Sequence, residues 1–89
     1  MKNMEFGVKR IQNGVAEYEY LGDGQIERVR KIVMRELRVG KTIEIYSGPT
    51  RYSTSYKGTL YLEDNIIMWK AKGGKRYYVT SSGKIVRRK

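Results

Sequence analysis

The stretch Tyr56–Trp69, YKGTLYLEDNIIMW, constrains this chain more than any other. Its alternation and its Asp64-Asn65 pair predict two antiparallel strands joined by a two-residue turn. That turn sets Leu62 opposite Ile67 and Leu60 opposite Trp69, so one face of the hairpin is apolar throughout. Gly58 then faces Ala71, which leaves room for another backbone to approach. The other face carries Thr59, Tyr61, Met68 and Lys70, neither a plain core nor a plain solvent surface. A hairpin used on both faces belongs at the centre of a small sheet or barrel.

Upstream, residues 5–21 read as a β-hairpin. A two-residue Asn13-Gly14 turn would pair Val8 with Glu19 and Phe6 with Leu21, mixing polar and apolar groups on both faces. A three-residue turn Gln12-Asn13-Gly14, with Gly14 as a left-handed bulge, pairs Val8 with Tyr18, Phe6 with Tyr20 and Lys9 with Glu17, and is the expected form. A helix is expected over 24–39, with Asp23 as its N-cap and Gly40 as its stop. Ile26, Val29, Val33 and Leu37 fall on one apolar stripe, flanked by Ile32. Arg28, Lys31, Arg35 and Arg38 fall on the opposite side, within an arc of roughly 80° at about 100° per residue. Residues 41–88 read as short antiparallel strands. Ile43 and Ile45 point inward in Lys41–Ser47, and a polar loop covers 48–55. After the central hairpin, Gly73-Gly74 turns the chain into Arg76–Thr80, and Ser81-Ser82-Gly83 turns it into Lys84–Arg88.

A helix leading directly into five short strands resembles the SH3-like small barrels. Within that class, Val39–Ile67 is similar to the first motif of the Sm and Sm-like RNA-binding family. There a helix precedes a strand reading G-K-x-V-x-V, and the next strand reads Y-x-G-x-L-x-x-x-D. Here Gly40–Ile45 reads GKTIEI and Tyr56–Asp64 reads YKGTLYLED, while Val79–Val86, VTSSGKIV, echoes the second motif. The resemblance implies RNA binding and gives Asp64 as a recognition residue. The sequence departs from the family at Met68, where a base-contacting Asn would fall, and at Ser82, where an Arg would. Its loop Gly48–Ser55 is longer, and the hairpin 5–21 has no counterpart there. The expected fold class is therefore α+β in one domain, 1–89: an N-terminal β-hairpin, one amphipathic helix, then an antiparallel SH3-like barrel of about five strands.

Charge points to the partner. The chain carries 19 Lys+Arg against 9 Asp+Glu, a net of +10. Residues 1–64 hold 11 of those cations and all 9 acids; residues 65–89 hold 8 cations and no acid. Such segregation suits a polyanion. The C-terminal segment also interleaves base and ring: Lys70, Lys72, Lys75, Arg76, Tyr77, Tyr78, Lys84, Arg87, Arg88, Lys89. A two-residue Gly73-Gly74 turn would set Lys70 opposite Tyr77, giving Tyr61, Lys70 and Tyr77 one outward face. That is a stacking platform for unpaired bases with a cation in its middle. The same tyrosines would serve equally as ordinary core under the N-terminal hairpin or helix. The helical ridge, taken alone, reads more readily as a solvated face than as a phosphate contact; what favours the contact is that Glu27 is the one acid on that side.

Other classes fall away. Without cysteine or histidine there is no disulfide, no thiolate or imidazole metal site and no histidine base. Glu17 pairs naturally with Lys9, and Glu63-Asp64 belong to a turn, so the converging carboxylates of a metal nuclease are lacking. The serines have no base beside them, and Gly73-Gly74-Lys75 lacks the spacing of a phosphate loop. No enzymatic activity, cofactor or metal is expected. No run is long and apolar enough for a membrane, and MKNMEFGVKR has no signal core, so a cytoplasmic protein without a membrane partner is expected.

The expected function is non-enzymatic nucleic-acid binding, RNA or single-stranded DNA ahead of duplex. Phosphates would meet Arg28, Lys31, Arg35, Arg38, Lys72, Lys75, Arg87 and Arg88. Bases would meet Tyr61 and Tyr77, with Lys70 between them. The competing class is a small basic effector or inhibitor that docks on an acidic surface of a partner protein.

Overall fold

The computed structural model describes residues 4–87. Among these residues there are seven strands: β1 Met4–Gln12, β2 Val15–Gly24, β3 Thr42–Gly48, β4 Ser55–Glu63, β5 Ile66–Ala71, β6 Arg76–Val79 and β7 Ile85–Arg87. They form one antiparallel sheet in the order β2-β1-β3-β4-β5-β6-β7. Between β2 and β3 runs α1, Ile26–Val33, continued by a 3-10 segment Met34–Val39. The chain is thus α+β, as expected, but the sheet is open and is not a closed five-stranded barrel. The reason lies in β1, which pairs with β3 from Glu5–Gly48 to Ile11–Thr42. The N-terminal hairpin takes the edge of β3 that closure would use, leaving β2 and β7 as the two edges.

The central hairpin has the expected register, with Leu62 opposite Ile67, Leu60 opposite Trp69 and Gly58 opposite Ala71. Asp64 (φ +52°) and Asn65 (φ +66°) are the left-handed pair that a type I′ turn requires. Gly58 is needed because a Cβ there would overlap the Trp69 indole. On this face Phe6, Val8, Ile43, Ile45, Leu60 and Trp69 meet Val29, Val33 and Leu37 of the helical segment in one core. This is the helix-covered face of the sheet; the open face lies behind it.

Two turn lengths differ from expectation. The first hairpin turns in two residues, Asn13 (φ +53°) and Gly14 (φ +79°), so Val8 lies opposite Glu19 and Lys9 opposite Tyr18. A type I′ pair matches the twist of the strands it joins. The mixed pattern on β2 is tolerated because β2 is an edge strand, exposed over Val15–Glu19. A bulge at Leu21, between the pairs Gly7–Tyr20 and Phe6–Gly22, then turns Leu21 onto the core. The second turn, Lys72-Gly73-Gly74, has three residues instead of two. It is closed by the Ala71 N–H donating to the Lys75 carbonyl at 2.9 Å, with Gly74 at φ +95°. That single residue sets Trp69, not Lys70, opposite Tyr77 and reverses every side chain of β6. A turn of the same kind at Ser81-Ser82-Gly83 sets Thr80 against Lys84.

The helix starts later than expected. Asp23 remains in β2 opposite Glu5, so Gln25 precedes the first turn and no side chain caps it. Gly40, at φ +95°, ends the 3-10 segment. Arg10 ties that segment to the sheet: its Nε reaches Glu36 and its Nη1 reaches Glu19, both at 2.6 Å. Gln12 Nε2 adds a bond to the Val39 carbonyl at 2.8 Å.

Candidate functional site

Burial of Val29, Val33 and Leu37 turns Arg28, Lys31, Arg35 and Arg38 to solvent on the far side of the helix. Among the described residues, none of the four has a carboxylate within ion-pair distance. Glu36, nearest to the end of the ridge, is turned instead toward Arg10 and Lys41. Burial pushes its carboxyl up, but those two cations more than offset this and hold it below the usual range. Ser82 of the β6–β7 turn lines the same groove as Arg28, Lys31 and Arg35. Gly83 rests directly on the helix, where a Cβ would overlap the Glu27 carbonyl oxygen.

The ridge and the β6–β7 turn are therefore one surface. Lys72 and Lys75 are exposed at the other end of β6, and Arg87 lies opposite Tyr77 on β7. Arg88 falls outside the described residues. Asp64 is an exposed residue of the β4–β5 turn, held by its left-handed backbone.

Tyr61, Lys70 and Tyr77 do not form a platform. Tyr77 faces the helix side and packs against the core. Lys70 lies on the open face in a row with Thr59 and Arg76. Tyr61 is one row along, opposite Met68, which in turn is opposite Tyr78. Met68 is 2% exposed and the Tyr61 hydroxyl is buried, with no hydrogen-bond partner among the described residues. Arg76 and Glu63, 3.5 Å apart, reach across this row. Packing, not display, accounts for both Tyr61 and Tyr77.

The open face instead presents rings from β2, β3 and β4. Tyr18 of β2, Tyr46 of β3 and Tyr56 of β4 make an edge-to-face series, with centroids 6.2 and 5.8 Å apart. Between β2 and β3 lies Gly7, where a Cβ would overlap the Tyr18 ring. Lys9 Nζ sits 5.6 Å from the Tyr46 centroid. Tyr46 donates to Glu44 at 3.0 Å, and the Tyr56 hydroxyl bonds that of Thr59. Burial and the Glu44 bond raise the Tyr46 pKa, so the phenol keeps its proton. The Arg51 guanidinium lies 4.3 Å from the Tyr20 ring and 5.5 Å from that of Tyr52. Turn length decides this surface. With two residues at Asn13-Gly14, Tyr18 falls opposite Lys9 and on its face, which a three-residue turn would not allow.

Arg30 is a further residue that a simple division of the helix into apolar stripe and basic ridge passes over. It is 4% exposed, 4.5 Å from the Trp69 ring, and its Nη1 donates to the Gly83 carbonyl at 3.0 Å. Burial lowers its pKa, which the Glu27 charge only partly opposes. The sequence does carry a signal: position 30 is four residues after Ile26 and three before Val33, inside the apolar stripe.

Among the described residues no three acids converge as a metal-ligand set, and no helix is long and apolar enough to cross a membrane. No protein-family model, no curated protein and no solved structure matches the chain.

Proposed function

We propose that this protein is a non-enzymatic nucleic-acid-binding protein that takes RNA or single-stranded DNA ahead of duplex. The observation that carries the reading is the ridge Arg28, Lys31, Arg35 and Arg38, exposed and without carboxylate partners among the described residues. Of the acids beside it, Glu36 is engaged by Arg10 and Lys41, which leaves Glu27 as the carboxylate in the groove against Arg28, Lys31 and Arg35. Ser82 and the Gly83 backbone extend the ridge onto the β6–β7 turn, beside Lys84. Phosphates are the ligands such a row of cations meets best.

The test is binding of a labelled single strand over a range of salt. Log affinity should fall linearly with log salt. Changing Arg28, Lys31, Arg35 and Arg38 together to Gln should reduce the slope by about 3, at about 0.7 for each phosphate no longer neutralised. No binding by the native protein at low salt would end the reading.

A second reading is docking on an acidic partner protein. It is favoured by Ile32, 55% exposed and in the same groove as Arg28 and Arg35, since protein interfaces place an apolar centre within a charged rim. An affinity that survives high salt would select it.

A further inference from the structure

We propose that the open face of the sheet is a stacking surface for unpaired bases, with Tyr18, Tyr46 and Tyr56 as its rings and Lys9 and Lys70 as its flanking cations. This rests on the nucleic-acid reading above and adds a second site, on the side of the sheet away from the helical ridge.

The argument begins at Gly7. A glycine in a strand flanked on both sides leaves a gap on the face to which its side chain would point. On the open face the Tyr18 ring fills it, lying across the β1 backbone, yet Tyr18 remains 51% exposed. Its ring is thus supported from below and open above, the condition for a base to stack. Tyr46 and Tyr56 continue the series across the next two strands. The hydroxyls of Tyr46 and Tyr56 are engaged by Glu44 and Thr59, which fixes those two rings.

The electrostatics agree with a strand and disagree with a basic or purely apolar visitor. Glu44 is the carboxylate in the Lys9 row, and it is taken up by Lys9 at 3.9 Å and by the Tyr46 phenol. Lys70, in the same row two strands away from Glu44, is exposed and without an ion pair among the described residues. Flat rings between cations suit alternating bases and phosphates. A duplex, whose bases are already stacked on one another, offers these rings nothing.

The test compares the native protein with Tyr18→Ala and Tyr18→Phe, using a labelled oligo-dT or oligo-U strand and a duplex of equal length at fixed low salt. Tyr18→Ala should weaken single-strand binding by about 5- to 100-fold, the range for removing one stacking ring. It should leave duplex binding and the salt slope unchanged. Tyr18→Phe should bind as the native protein does. Native single-strand binding that Tyr18→Ala does not alter would overturn the site while leaving the ridge reading intact. Native protein that binds no nucleic acid, or only an acidic protein, would overturn both.

A measurement without substitution guards against a folding defect. Ultraviolet crosslinking of the native protein to oligo-U, mapped by peptide mass spectrometry, should mark Tyr18, Tyr46 or Tyr56. Crosslinks confined to the helix would overturn the proposal.

Discussion

The guanidinium of Arg30 lies over the indole of Trp69, 4.5 Å from its centroid, in the interior between helix and sheet. No carboxylate accompanies it within ion-pair distance among the described residues, and its one hydrogen bond goes to the Gly83 carbonyl. The helix, the central hairpin and the β6–β7 turn are thus joined at a single side chain. Such a charge costs desolvation, so its stem and its ring contact are what stabilise. We expect Arg30→Ala to lower unfolding free energy by about 2 kcal/mol, and Arg30→Met by less than about 1 kcal/mol. Urea unfolding followed by the fluorescence of Trp69, the only tryptophan of the chain, measures both. Equal losses in the two variants would show that the charge itself holds the interior together.

Gly58→Ala places a methyl group against the Trp69 ring and the Lys70 carbonyl. Overpacking of this kind, with backbone as one of the neighbours, should cost about 1–3 kcal/mol. Gly14→Ala is the useful contrast. Nothing lies within 4 Å of its added carbon, so only the strain of φ +79° remains, about 1 kcal/mol. Thermal unfolding of the two variants should rank Gly58→Ala as the less stable.

Acid should loosen the contact between the 3-10 segment and β1. The folded-state pKa of Glu36 is held below its ordinary value, with burial opposing and Arg10 and Lys41 prevailing. Its contribution is therefore fully present above the unfolded value, about 4.3, and is lost as pH falls through the lower folded value. Stability measured between about pH 5 and pH 3 should decline in the native protein and decline less in Glu36→Gln. Parallel curves for the two proteins would remove Glu36 from the acid response.

Tyr77→Ala separates packing from display. Tyr77 lies opposite Trp69 on the helix-covered face, so the change should cost about 3 kcal/mol of stability. Nucleic-acid affinity per folded molecule should stay as in the native protein. Loss of affinity with stability preserved would restore Tyr77 to the binding surface.

The parts of the fold legible in the sequence are those where period and turn agree. Asp64-Asn65 between two apolar strands admits one register, and the helical stripe admits one buried face. Where the flanking strands carry mixed patterns, as at Gln12–Val15 and Lys70–Arg76, a turn of two or three residues cannot be decided by alternation. One residue then carries Tyr77 from one face to the other and brings Tyr18 beside Lys9. Edge position is also a property of the whole sheet: nothing local in Glu5–Ile11 says that it will pair with β3 and keep the sheet open. The ridge is legible because its spacing is intrinsic to a helix. The tyrosines of the open face are not, because they come from three strands whose juxtaposition depends on those registers.

The ridge and the tyrosines stand on opposite sides of one sheet, in a molecule 22 Å across its shortest dimension. A short oligonucleotide reaches one side only. A longer one can round a sheet edge and engage the other, and its second contact then forms at high local concentration. Affinity should accordingly climb with strand length in two stages, separated by the span needed to turn that edge.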